Sequence, residues 1–193
     1  MGFRLRINAL LGASAVTGPL DEGPMPAKEM IESSDLSEAF CMLLRANQGA
    51  AARELLSAAK CNIHHRTDMN QTPLHITAMM FMPPVMELLL ARGADPNALD
   101  SRGRTPLMSA ARAGDEKAAH QLLMAGADPN VATHQMRWTA LMWAVRYKRL
   151  GTLKLLACGA DLELLDKNGH SATDLARKYN FRAGLNFLNG LSD

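Results

Sequence analysis

Between Thr105 and Asn130 the apolar residues fall into two short bursts with helical spacing. Leu107, Ala110 and Ala111 stand at i, i+3 and i+4, which gathers them on one helical face. After Gly114 a second burst, Ala119, Leu122 and Leu123, follows the same rule. The polar residues mark the boundaries. Thr105 offers a hydroxyl to cap the first helix, and Pro106 takes its first position, where a missing N–H costs nothing. Asp115 and Glu116 put negative charge in the first turn of the second helix, complementing its dipole. Gly126 stops that helix, and Asp128-Pro129-Asn130 starts an extended hairpin. The stretch therefore predicts helix, turn, helix and finger.

The same pattern recurs along the chain. Thr72-Pro73-Leu74-His75 returns as Thr105-Pro106-Leu107-Met108, as Thr139-Ala140-Leu141-Met142 and, weakly, as Ser171-Ala172-Thr173-Asp174, at intervals of 33, 34 and 32 residues. Gly93-Ala94-Asp95-Pro96-Asn97 repeats in step as Gly126-Ala127-Asp128-Pro129-Asn130 and as Gly159-Ala160-Asp161. One hairpin of this size cannot bury its apolar face alone, so neighbours must stack. Five units are expected, at 35–66, 67–99, 100–132, 133–165 and 166–193, the first and last acting as caps. Asp35 and Glu38 suggest a capping box at the start of the first. Two departures stand out. Phe81 occupies a turn where a positive φ would strain it, which predicts a different loop path with Pro83 or Pro84 opening the next helix. The finger from Thr133 to Trp138 is one residue longer than its counterparts.

These landmarks resemble the ankyrin repeat family, whose units open with Thr-Pro-Leu-His, run through Ala-Ala and close with Leu-Leu, Gly-Ala-Asp and Asn. The likeness covers Asp35 to the C-terminus. It implies an all-α fold, a solenoid of stacked helix-turn-helix units with short β-hairpin connections. It also implies a structural role for His75, hydrogen-bonded within its repeat, and a concave groove of first helices and hairpin tips that binds partner proteins.

Composition narrows the picture. Hydrophobic residues are 48% of 193 and charged residues 21%, so a packed core is expected throughout the repeats. A formal charge of +2 is too small to announce nucleic-acid binding. Three cysteines, Cys41, Cys61 and Cys158, without motif spacing fit a reducing compartment, with Cys41 and Cys158 as small apolar fillers in helices. No apolar run reaches membrane-spanning length. Residues 1–34 are read as a flexible tail and linker. Within them, residues 1–20 carry Arg4, Arg6 and an Ala13-Ser14-Ala15 step without acid, features shared with mitochondrial targeting segments. The cytoplasm is the expected compartment, the nucleus and the mitochondrion the alternatives.

The sequence holds no phosphate loop, no nucleophile elbow and no zinc-protease motif, and no enzyme or cofactor is expected. Cys61-Asn62-Ile63-His64-His65 lacks a complete zinc ligand set, so no metal is expected either. Carried onto this chain, the family's groove takes Met79, Met80, Arg112, Arg146, Tyr147 and Lys178 from the first helices. It takes Arg102, Arg104, Gln135, Arg137, Trp138, Lys167 and His170 from the tips. Trp143 belongs either to this face or to the core, and Met79 and Met80 either fill a gap or form a soft binding surface. Acids are scarce in the set, so a basic groove is expected to bind an acidic or acidic–aromatic segment of another protein, with Trp138 and Tyr147 as anchors. A monomer acting as adaptor, scaffold or inhibitor is the leading expectation. A kinase-inhibitor-like ankyrin protein, or binding of nucleic acid or another anionic ligand, is the alternative.

Overall fold

The computed structural model describes residues 33–58 and 61–191, so the tail read from residues 1–34 lies, up to residue 32, outside them. Among the described residues, ten helices form five pairs: α1 (Ser33–Arg45) with α2 (Gly49–Ala58), α3 (Pro73–Met79) with α4 (Pro83–Ala91), α5 (Pro106–Ala113) with α6 (Glu116–Met124), α7 (Ala140–Arg146) with α8 (Leu150–Ala157), and α9 (Ala172–Lys178) with α10 (Arg182–Asn189). Each first helix packs on the first helix of the next pair, and each second helix on the next second helix. The result is two helical layers sharing one core. Leu74, Leu107, Leu141 and Leu175 occupy equivalent places in successive pairs and are at most 1% exposed. Burying such a leucine is worth about 1.5–3 kcal/mol, enough across several units to hold together helices too short to persist alone.

The caps follow the polar landmarks. Thr105 Oγ1 accepts from the Met108 N–H at 3.3 Å, Thr139 Oγ1 from Met142 at 3.4 Å and Ser171 Oγ from Asp174 at 3.2 Å. Asp115 caps α6 through Oδ1 and the Ala118 N–H at 3.0 Å. Every first helix ends the same way. The residue after a left-handed position donates its N–H five residues back: Gln48 to Leu43, Met82 to Thr77, Asp115 to Ala110, Arg149 to Ala144 and Phe181 to Ala176.

That closure corrects the expectation for Phe81. Its loop takes the common path, with φ of +57° where Gly114 has +85°. The ring is 58% exposed, so the local strain meets no added clash with the core. Pro83 does open α4.

The connections also differ from β-hairpins. Among the described residues no strand forms, because each finger closes on itself through one or two bonds. Thr67, Asp100 and Asp166 donate their N–H to Gln71, Arg104 and His170, while in the longer finger Thr133 donates to Trp138. Successive fingers are tied instead by single bonds: Ser101 to Met69 O, His134 to Arg102 O and Lys167 to Met136 O. A second tie explains the Gly-Ala-Asp-Pro-Asn landmark. Asn97 Oδ1 accepts the Asp128 N–H at 2.8 Å and Asn97 Nδ2 donates to Gly126 O at 3.0 Å. One unit later, Asn130 Oδ1 accepts the Asp161 N–H at 2.8 Å.

Cys41 is buried, and burial pushes its thiol up to about 11. Cys158 is not a filler: it follows the last turn of α8, exposed, with Sγ donating to Lys154 O.

Candidate partner-binding face

The first helices present the residues at their last turns in columns. Two positions before each left-handed residue stand Arg45, Met79, Arg112, Arg146 and Lys178; one position before it stand Ala46, Met80, Ala113, Tyr147 and Tyr179. Arg45, Arg112, Arg146 and Lys178 are exposed, while Met79 and Met80 are half-buried. The shared helix closure fixes this register, so side chains 32 to 34 residues apart become neighbours.

An aromatic cluster fills the column from the third to the fifth pair. Trp143 stacks on Tyr147 with centroids 5.9 Å apart and planes at 14°. Trp138 meets Trp143 edge-on at 5.2 Å and Tyr179 at 6.4 Å. The Arg112 guanidinium lies 5.6 Å from the Tyr147 ring centre, and Arg146 lies 4.6 Å from Tyr179 and 5.8 Å from Tyr147. Each arginine thus reaches forward onto the tyrosine of the next unit. Such contacts fix a guanidinium's plane while its N–H edges stay available. Among the described residues, no carboxylate pairs with Arg45, Arg112, Arg146 or Lys178.

The finger residues divide differently from the expectation. Trp138 is only 7% exposed, with its indole N–H 3.4 Å from Asp166 Oδ2; it joins two units and is not a free anchor. The reason is its place directly before the capping Thr139, which makes it the closing residue of its finger, as Arg104 is before Thr105 and His170 before Ser171, and there its ring packs onto the following unit. Arg104 is likewise occupied, with Nη2 and Nε both 2.7 Å from Asp100 Oδ2. His170 holds Nδ1 3.3 Å from Asp166 Oδ1. Burial alone would raise the Asp100 and Asp166 carboxyls. Bonds from Arg104 and Arg102 hold the first below the ordinary range, and bonds from His170, Asn168 and Trp138 hold the second there. Arg102, Gln135, Arg137 and Lys167 are exposed at the tips. Tyr147 remains 39% exposed and is the accessible large aromatic of the set.

Sequence reasoning missed Tyr179 and Arg45, although aligning the ends of the first helices would have put them in the columns of Tyr147 and Arg146. His75 is structural. Its Nδ1 accepts the Thr72 N–H at 3.2 Å and its Nε2 donates to Arg104 O at 2.9 Å, joining two units, and burial lowers its pKa. At Cys61-Asn62-Ile63-His64-His65 the chain makes a tight turn, with His64 exposed and its N–H on Asn62 Oδ1. Among the described residues, no three His, Cys, Asp or Glu side chains gather as a metal-binding set, and no helix is long and apolar enough to cross a membrane.

A family model described as ankyrin repeats (3 copies) matches residues 40–133 and 82–168. The chain is 35% identical over 121 residues to the nuclear factor NF-kappa-B p105 subunit of Gallus gallus, covering 59% of this chain and 12% of that protein. It is 34% identical over 92 residues to the human ARF GTPase-activating protein GIT1, covering 47% and 12%. It is 38% identical over 52 residues to human NF-kappa-B inhibitor alpha, covering 27% and 16%. The matches thus span less than a fifth of each relative's own length. With the period, the landmarks, the stacked pairs and the family match in agreement, the chain belongs to the ankyrin-repeat family and is built as a protein-interaction module.

Proposed function

We propose that this chain is a non-enzymatic adaptor, scaffold or inhibitor that binds an acidic or acidic–aromatic segment of another protein along its first-helix face. The observation that carries this reading is the pair Arg112 and Arg146, both exposed, both stacked on tyrosines and neither paired with a carboxylate among the described residues. Charges so arranged attract an acidic partner and orient it, while Tyr147 supplies apolar area at low entropic cost. Arg102, Arg137 and Lys167 extend the same sign to the finger tips, and Met79 with Met80 offers an adaptable apolar patch at the other end. One relative is named as an inhibitor, which supports inhibition as one form of the role. The chain acts as a monomer, in the cytoplasm or nucleus.

The test is site-specific photo-cross-linking in cell extract. A cross-linker at Ser109 on the first-helix face should capture a protein partner, and one at Lys117 on α6 should not. Arg146→Glu with Tyr147→Ala should abolish the capture. Capture of nucleic acid, with affinity falling steeply in salt, would replace this reading by the anionic-polymer alternative.

A further inference from the structure

We infer that the partner segment binds along the stack as an extended polyproline II-type chain and carries a set spacing of side chains: an acid at every third residue, with one apolar residue in place of the second acid. The inference rests on the acidic-partner reading above and specifies its register.

The five closures of the first helices share the same hydrogen bond from the residue after the left-handed position to the carbonyl five residues back. They place Arg45, Met79, Arg112, Arg146 and Lys178 at one position in five successive units, so the column reads cation, methionine, cation, cation, cation. Packed helices lie about 8–10 Å apart, which sets the step of the column. A polyproline II-type extended chain rises about 3.1 Å per residue, so three residues span about 9 Å and match one step. A helical segment would need about six residues per step and would turn most of them away from the column. With three residues per turn, the polyproline II form brings every third side chain back to the same face at the same interval, whereas a β-strand would turn it to the opposite face.

The cations are also aimed. Arg112 and Arg146 lean the same way along the stack, each onto the tyrosine of the next unit, at 5.6 and 4.6 Å. Their N–H edges therefore recur with the unit spacing instead of sampling the whole face. Met79 interrupts the series, and with Met80 it is half-buried beside exposed Phe81. A carboxylate at that step would lose its water without gaining a partner, whereas an apolar side chain would gain contact. Five column positions, separated by four steps, ask for about 13 residues, with acids at positions 1, 7, 10 and 13 and an apolar residue at position 4, or the same pattern reversed.

Fluorescence anisotropy with the full chain tests this. The probes are 13-residue peptides of Asp, Leu, Gly and Ser: the spaced pattern, its reverse, and a control of equal composition with the four Asp residues contiguous. One of the two spaced peptides should bind about tenfold tighter than the control, the sum of a few exposed ion pairs held in register. Arg112→Glu should remove that advantage, and a spaced peptide with lysine in place of the acid that faces this step should restore it. Arg112 is exposed, and far-UV circular dichroism will show that the variant keeps its fold. Equal binding of spaced and contiguous peptides overturns the register and leaves the acidic-partner reading standing. No restoration by the charge-reversed pair also overturns the register. Failure of every peptide to bind overturns both.

Discussion

At the scale of single residues, His75 shows how a polar side chain is kept in this core. Its two ring nitrogens have different partners, an amide donor from Thr72 and a carbonyl acceptor at Arg104, so only the neutral ring with hydrogen on Nε2 satisfies both. Protonation would turn Nδ1 against the Thr72 N–H, and burial opposes the charge as well. The unfolded chain takes up that proton near pH 6.5 while the folded chain resists it to lower pH. Stability is therefore full above about pH 6.5 and declines below it, toward the lowered folded value. His75→Gln should lower stability at pH 7.5 by about 1–3 kcal/mol through unpaired buried groups. It should also flatten the change in urea midpoint between pH 7.5 and 5.5. A variant with the wild-type slope would remove His75 from the explanation. Phe81 makes the opposite case. Its left-handed backbone is unfavourable for a residue with a Cβ, and its ring is mostly in water. Phe81→Gly should raise the unfolding free energy by up to about 1 kcal/mol, read from the same urea titrations. A loss of stability would mean that the ring contributes packing beyond its own exposure.

At the scale of elements, the helices were legible because their signals are local. Thr105 and Pro106 announce a start, Gly114 a stop, and Leu107 with Ala110 and Ala111 a buried face, all within ten residues of chain. The finger residues were less legible because their fate depends on a neighbour one repeat away. Nothing within the segment from Thr133 to Thr139 says that Trp138 will donate to Asp166, 28 residues on, or pack against Tyr179. Arg104 is a milder case. Its partner Asp100 is only four residues back, but the pairing depends on a finger that closes through Asp100 Oδ1 onto the Arg102 and Arg104 amides. The Asn97 and Asn130 bridges were visible as letters of a motif, yet their purpose is set by the carbonyl and amide of the following unit. Asn97 holds two bonds across that boundary and Asn130 one. Asn97→Ala should therefore cost about 1–3 kcal/mol, and more than Asn130→Ala, in thermal unfolding. The reverse order would show that the bridges do not carry the junctions. Trp138→Ala should cost about 3–5 kcal/mol, so it would confuse binding with folding; Tyr147 and Arg146 are the substitutions that probe the face alone.

At the scale of the whole molecule, the described helix pairs pack chiefly on the pairs beside them, so stability is a sum of unit terms and junction terms and need not be lost all at once. The two tryptophans make this measurable. Both lie in the fourth pair, and Trp138 touches the fifth through Asp166 and Tyr179, so their fluorescence reports the C-terminal end of the stack. Far-UV circular dichroism reports every helix. Leu74→Ala leaves a cavity in the second pair and should cost about 2–5 kcal/mol there, two units from either indole. With strong junctions the unaltered chain should show coincident urea transitions by both signals. In Leu74→Ala the loss falls on the N-terminal pairs, which are then held to the rest by the packing of α3 on α5 and α4 on α6 and by the bonds from Ser101 to Met69 and from His75 to Arg104. Circular dichroism should then begin to fall at lower urea than tryptophan fluorescence. Leu175→Ala should reverse that order, because it loosens the fifth pair against which Trp138 rests. Two variants whose paired transitions stayed superimposed would describe a stack with junctions stronger than its units. The first-helix column would then respond to a partner as one rigid strip, and a substitution in any pair would weaken binding at all five.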